Sequence, residues 1–150
     1  MISPDLRLDR QLCFALYAAS RAVTQAYIPL LAPLGLTYPQ YLVMLVLWET
    51  DAQKVKELGE ALRLDSGTLT PLLKRMEAAG FVTRKRDVAD ERVVRVHLTA
   101  KGRALATKAA AVPEALACKL GSTRAEIGRL RQELVDLTTR LQAGADEETA

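Results

Sequence analysis

Cysteine is nearly absent from this sequence, with only Cys13 and Cys118 among 150 residues. Two thiols cannot supply the cross-links that hold small secreted folds together, and with a single histidine, His97, they fall short of the usual zinc sites. No structural metal and no cofactor are expected, and His97 reads as a plain strand residue. Glycine (8) and proline (6) are too scarce for collagenous or low-complexity chains. Long apolar runs are missing too. None is longer than that over residues 41–48, far short of the roughly 20 residues that a membrane span needs. Asp5, Arg7, Asp9 and Arg10 stand where a signal peptide would carry its apolar stretch. The expectation is a cytoplasmic protein without a membrane partner. What is present is 49% hydrophobic and 26% charged residues, enough for one domain over residues 1–150 that buries roughly 68–70% of its unfolded surface.

The net charge of +3 is unevenly placed. Residues 54–103 hold 12 Lys/Arg against 7 Asp/Glu, and the remainder holds 9 against 11. A basic centre fits a nucleic-acid contact, and equally a solvated face, so it needs a motif beside it.

Along the chain, Leu12, Ala15, Ala19, Val23, Ala26 and Leu30 recur at steps of three and four, which predicts an amphipathic helix over residues 9–34. Pro29 and Pro33 weaken its end and Gly35 stops it. Thr37 and Gln40 form a capping box around Pro39 and open a second, all-round apolar helix. Residues 51–54 read as a loop. Val55, Leu58 and Leu62 share the face of a short helix, and Leu69, Leu72, Leu73 and Met76 that of the next, which ends at Gly80. By sequence rules this helix should begin near Thr68, because an earlier start makes Pro71 forfeit a bond to the Gly67 carbonyl. Residues 81–98 then alternate β-branched and basic residues around a polar turn, the pattern of a β-hairpin. Thr99 caps a fifth helix that Pro113 should interrupt. Thr123 and Glu126 open a sixth, with Ile127, Leu130, Leu134, Leu137 and Leu141 at heptad-like spacing.

Two short helices joined by a tight turn, followed by an Arg-rich hairpin, give the order of a winged helix-turn-helix over about residues 54–98. The fold class expected is therefore mainly α with a small β-hairpin wing. The second helix would enter the major groove, where Ser66, Thr68 and Thr70 donate to phosphates or base edges and Lys74 and Arg75 lie near the backbone. The hairpin, with Arg84 and Arg86 on its first strand, would reach the minor groove. There Arg92 meets the negative potential of A·T tracts, oriented by Asp90. The plain alternative is an αα-hairpin and a β-hairpin with ordinary surface charges.

The stretch Leu64-Asp-Ser-Gly-Thr-Leu-Thr-Pro-Leu-Leu-Lys-Arg-Met76, with Asp90-Glu-Arg92, resembles the multiple-antibiotic-resistance regulator (MarR) family of bacterial winged-helix repressors. Leu12-Cys-Phe-Ala-Leu-Tyr-Ala-Ala-Ser-Arg21 and Thr37-Tyr-Pro-Gln-Tyr41 resemble, more specifically, the organic hydroperoxide resistance regulators. The resemblance covers about residues 6–141. It implies a homodimer built from helices over about 9–34 and 100–142, an inverted-repeat operator in double-stranded DNA, and a recognition helix that starts near Asp65 despite Pro71. It also implies a peroxide-sensing cysteine with organic hydroperoxide as inducer.

A cysteine on an apolar cytosolic helix is ordinarily inert. A sensing thiol must be ionised near neutral pH, so it needs donors or positive charge beside it and access for the oxidant. The tyrosines that match the family fall at Tyr27 and Tyr38, and Tyr17 lies one turn from Cys13. Fourteen residues of one helix span about 21 Å, so Tyr27 cannot touch the Cys13 of its own chain and the contact must cross a dimer. Cys118 stands where the two-cysteine subclass of the family carries its resolving thiol. The implied chemistry is oxidation of Cys13 to a sulfenic acid, then a disulfide with Cys118 of the partner subunit. Two further readings stay open. One is a repressor of the same fold that answers a reversible phenolic ligand. The other is a thiol peroxidase, which leaves the basic centre and wing without a purpose.

Overall fold

The computed structural model describes residues 3–148, with side chains to residue 145. Helix α1 spans Leu12–Leu31, shorter than the periodicity over 9–34 predicts. Its start is delayed because Leu8–Arg10 closes a separate 3-10 turn, tied down by the Gln11 amide, which donates to the carbonyls of Asp5 (2.6 Å) and Arg7 (3.1 Å). Pro29 is accommodated inside α1, where it costs a single backbone bond. A 3-10 turn over Ala32–Leu34 follows, and Gly35 at φ 68° reverses the chain.

Helix α2, Tyr38–Glu49, opens with the expected capping box. The Gln40 N–H donates to Thr37 Oγ1 (3.4 Å) and the Thr37 N–H to Gln40 Oε1 (3.0 Å). Tyr41, Val43, Met44 and Leu47 of α2 form the centre of the core with Leu58, Leu69, Leu73, Met76, Val82 and Val96. Residues 53 and 54 depart from the loop expected there. Gln53–Lys54 is strand β1, paired antiparallel with Val96 and Arg95 of β3, and two residues are too few to show any alternation in sequence. The wing is thus a three-stranded sheet in the order β1-β3-β2, with β2 at Val82–Arg86 and β3 at Val94–Leu98.

Helix α3, Val55–Leu62, ends with Arg63 at φ 54°. The turn to α4 is tight enough that a Cβ at Gly59 would lie 2.9 Å from the Leu64 carbonyl oxygen. Helix α4 runs Ser66–Ala78 with Asp65 as its cap. Helix α5, Ala100–Ala109, is capped by Thr99, whose Oγ1 accepts from the Gly102 N–H (3.0 Å). Gly102 is pressed against Phe81. A Cβ there would meet the Phe81 carbonyl oxygen at 2.1 Å, and both groups are held by backbone. Gly102→Ala is therefore expected to destabilise the protein by about 1–3 kcal/mol. A lowered thermal midpoint followed by circular dichroism checks this, and an unchanged midpoint would mean that α5 shifts freely away from Phe81.

The chain divides into two compact units, Met1–Val112 and Pro113–Ala150. The break sits at the expected proline. Helix α5 stops at Ala109, and α6, Val112–Leu120, carries Pro113 in its first turn, where a missing donor is tolerated. Gly121 at φ 62° ends α6. Helix α7, Arg124–Glu148, starts from a capping box in which Glu126 Oε2 accepts from the Thr123 N–H (2.7 Å) and Thr123 Oγ1 accepts from the Glu126 N–H (3.2 Å). Its Leu130, Leu134 and Leu141 are exposed in the single chain, as are Leu12, Phe14, Tyr17 and Ile28 of α1. No single helix among the described residues is long and apolar enough to cross a membrane.

Candidate functional site

Two groups of side chains carry chemistry in this fold. The first is the outer face of α4 together with the wing. The rule that placed the start of α4 near Thr68 is overturned. Asp65 Oδ1 accepts from the Thr68 N–H (2.8 Å), and burial of Leu69, Leu72, Leu73 and Met76 outweighs the one bond that Pro71 removes. Ser66, Thr68, Lys74 and Arg75 are exposed on α4, while Thr70 is partly buried.

In the wing, Arg92 is 92% exposed and its Nε and Nη2 donate to the two Asp90 oxygens at 3.1 and 3.2 Å. Asp90 also accepts the Arg92 backbone N–H (3.0 Å). The Arg92 guanidinium and then this N–H hold the Asp90 carboxyl below the usual range. Arg86 donates to the Glu91 carbonyl (2.7 Å), closing the loop. Arg84 behaves differently from its neighbours. Its Nε and Nη2 donate to Glu77 Oε2 at 3.0 and 2.8 Å, and its backbone N–H to Glu77 Oε1 at 2.9 Å, so it braces β2 against α4 with its charge already paired. A concavity of about 530 Å³ between α4 and the wing is lined by Lys54, Lys56, Thr70, Arg84 and Arg92.

The sequence reading missed the anchors of the wing. Arg95 pairs with Asp87 and donates to the Ala52 carbonyl (2.9 Å). Asp51 accepts from the N–H groups of Ala52 (2.7 Å) and Leu98 (2.9 Å) and from Arg103 (2.9 Å). Burial opposes charge on Asp51, yet these donors together keep its carboxyl below the usual range. No local signal marks such pairs, because Leu98 and Arg103 lie 47 and 52 positions from Asp51.

The second group concerns the thiols. Cys13 is the second residue of α1, exposed and free. Cys118 lies in α6 of the second unit, also exposed and free. Around Cys118 a shallow depression is lined by Glu114, Gly121, Ser122, Thr123 and Arg124. Tyr17 is exposed, and its hydroxyl accepts from Arg21 Nη1 (3.3 Å), whose guanidinium sits 5.5 Å from the ring. Arg21 is a further cation one helical turn on, legible as an i, i+4 pair.

Tyr27 packs on Tyr38 with ring centroids 4.8 Å apart and on Tyr41 at 5.7 Å. Burial, then the neighbouring Tyr38 and Tyr41, push the Tyr27 hydroxyl up to about 12, and burial also raises Tyr38. Both phenols are hydrogen-bond donors at neutral pH. The fold thus gathers Tyr27 and Tyr38 at one end of α1 and leaves Cys13 at the other. Because α1 is continuous between them, about 21 Å of helix intervenes.

Residues 25–109 match the family described as transcriptional regulator SarA/Rot. The chain is 56% identical over 108 residues to the organic hydroperoxide resistance transcriptional regulator of Bacillus subtilis (strain 168), covering 72% of this chain and 74% of that protein. It is 53% identical over 138 residues to the HTH-type transcriptional regulator TtmR of Methylorubrum extorquens (strain PA1), covering 92% and 71%. Among solved structures it resembles AbfR of Staphylococcus epidermidis. Reduced AbfR bound to DNA superposes with a TM-score of 0.80 at 38% identity, covering 95% of this chain and 98% of that one. The disulfide form of AbfR gives a TM-score of 0.62 at 40% identity, covering 89% and 94%. The chain therefore belongs to the SarA/Rot transcriptional regulators, in the MarR-type winged-helix group that includes the organic hydroperoxide resistance regulators, and it is a regulator rather than an enzyme.

Proposed function

We propose that this protein is a homodimeric, DNA-binding repressor that holds an inverted-repeat operator in its reduced state and leaves it when an organic hydroperoxide oxidises Cys13. The observation that carries this reading is the geometry of α1. A continuous helix holds an exposed thiol at one end and, at the other, the half-buried Tyr27 phenol packed on Tyr38 of α2. Two such helices side by side and antiparallel place the phenols of one subunit at the thiol of the next, where their hydroxyls stabilise the thiolate. The exposed apolar residues of α1 and α7 supply the surface for that pairing. The relative AbfR, solved reduced on DNA and in a disulfide form, supports both the DNA partner and the redox control.

The Cys13 thiolate attacks the outer oxygen of ROOH. The S–O bond forms as the O–O bond breaks, the sulfur loses two electrons, and the alkoxide takes a proton from water to leave as ROH. The thiolate of Cys118 of the partner subunit then attacks the sulfenic sulfur and expels hydroxide, giving a disulfide. Closing that bond requires Cα atoms roughly 4.4–6.8 Å apart. The resulting movement respaces two recognition helices that must match half-sites about 34 Å apart.

The test uses a duplex selected by the reduced protein from a random-sequence pool. Cumene hydroperoxide should release it and dithiothreitol restore it in a mobility-shift titration. A repressor governed by a reversible phenolic ligand would ignore both reagents.

On the same duplex, Lys74→Ala and Arg92→Ala are expected to weaken binding without unfolding the protein, since both side chains are exposed. Loss of a phosphate contact at Lys74 should lower the salt slope by about one unit. Loss of a minor-groove contact at Arg92 should also relax the preference for A·T-rich flanks. Equal binding by wild type and both variants across the salt titration would remove these residues from the interface.

A further inference from the structure

Trp48 is the sole tryptophan of the chain, and it is bonded on both sides. Its ring lies 6.3 Å from that of Tyr41, edge to face, and Tyr41 in turn lies 5.7 Å from Tyr27, which stacks on Tyr38. On the opposite side the indole Nε1–H donates to the Gly102 carbonyl (3.0 Å), 54 positions along the chain and in the first turn of α5. This turn is locked to the end of the recognition helix. Gly102 touches the Phe81 carbonyl too closely to admit a Cβ. Lys101 Nζ donates to the Ala79 carbonyl (2.7 Å) and sits 4.6 Å from the Phe81 ring, and Thr99 Oγ1 donates to the Gly80 carbonyl (2.6 Å).

The aromatic ladder that begins at the proposed thiolate donors therefore ends, through one directional hydrogen bond, on the joint that holds the last residues of α4 and the base of the wing. The other contacts along the ladder are ring packing, which constrains distance more than angle. The indole N–H joins α2 directly to α5, beside the Arg103 pair with Asp51 just beyond the end of α2.

We propose that Trp48 is a positioning residue that couples the state of the thiol site to the orientation of the recognition helix. Displacement of Tyr27 or Tyr38 on oxidation repacks the Tyr41 and Trp48 rings, and the Nε1–H bond carries that shift to Gly102 and so to α4. Closely packed rings transmit a shift rather than absorb it. This inference rests on the redox reading above, since it takes Tyr27 and Tyr38 as the groups that the oxidised thiol disturbs.

Trp48→Phe keeps most of the ring area and removes the donor. Reduced, the variant should bind the selected duplex within threefold of wild type. Cys13 should oxidise with cumene hydroperoxide at the wild-type rate, read by alkylation and mass spectrometry, while the loss of DNA affinity on oxidation shrinks at least tenfold. Coupling of this kind is read as the ratio of affinities in the two states. An undiminished loss of affinity in the oxidised variant overturns the proposal. So does a reduced variant that binds more than tenfold more weakly, because Trp48 would then merely support the fold.

The wild-type protein gives a second readout that does not depend on the variant folding. Its fluorescence comes from Trp48 alone among tryptophans, and the emission maximum should shift on oxidation and return with dithiothreitol. Full release of DNA with unchanged emission also overturns the coupling. If Cys13 of the wild-type protein oxidises and the DNA stays bound, the redox reading itself fails, and this coupling with it.

Discussion

Cys13→Ser is expected to bind the selected duplex as the wild-type protein does and to stay bound at hydroperoxide doses that release wild type completely. A serine hydroxyl is nearly isosteric with the thiol but is not ionised near neutral pH and cannot be oxidised to a sulfenic acid, so only the sensing step is removed. Cys13 is exposed at the start of α1, away from α4 and the wing, which is why basal binding should survive. Tyr27→Phe and Tyr38→Phe should respond more slowly with their stacking intact, because the rings remain. Each lost phenol donor removes a hydrogen bond that favours the thiolate over the thiol, so each variant should oxidise more slowly than wild type. Stopped-flow oxidation measures this directly. Release of Cys13→Ser at the wild-type dose would remove Cys13 from the mechanism, and tyrosine variants as fast as wild type would remove the phenols. An apolar crevice between subunits should also favour cumene hydroperoxide over hydrogen peroxide, and equal sensitivity to both would count against such a crevice.

The parts of this molecule that were legible in sequence are those whose cause is local. The Thr37–Gln40 capping box, the apolar stripe of α4, the stop at Gly35 and the Asp90–Arg92 pair each depend on residues within about two helical turns of one another. Where two local rules conflicted, tertiary packing decided. Pro71 argued for a late start to α4, but the stripe from Leu69 to Met76 has to be buried, and one lost backbone bond is small beside four buried side chains. Strand β1 had no signal of its own, because Gln53 and Lys54 become a strand only once β3 offers an edge. Arg84 shows the same limit at the site. By composition it is one of several wing arginines, and only the fold reveals that Glu77, seven positions earlier, has taken its charge. The candidate DNA face therefore keeps Arg92, paired with Asp90 but exposed in the wing, and loses Arg84 to bracing.

The Cys118 thiol yields the other large effect. If it resolves the Cys13 sulfenic acid, hydroperoxide should convert the protein to a disulfide-linked dimer on non-reducing gels, reversed by dithiothreitol and absent in both Cys13→Ser and Cys118→Ser. The bond should join two chains. A tryptic digest of oxidised protein should then contain a Cys13 peptide linked to a Cys118 peptide. A mixed dimer with one Cys13→Ser chain and one Cys118→Ser chain should form one bond rather than two. Cys118 is exposed on α6 in the single chain, so it is reachable by a partner, and serine there leaves no cavity that would explain a lost response through unfolding. Without its resolving thiol, Cys118→Ser should accumulate the sulfenic acid, advance to the irreversible sulfinic form at higher dose, and recover DNA binding incompletely with dithiothreitol. Oxidised wild-type protein that runs wholly as monomer, with both thiols still open to alkylation, would exclude the two-cysteine mechanism. Release by a phenolic ligand would then become the reading to test.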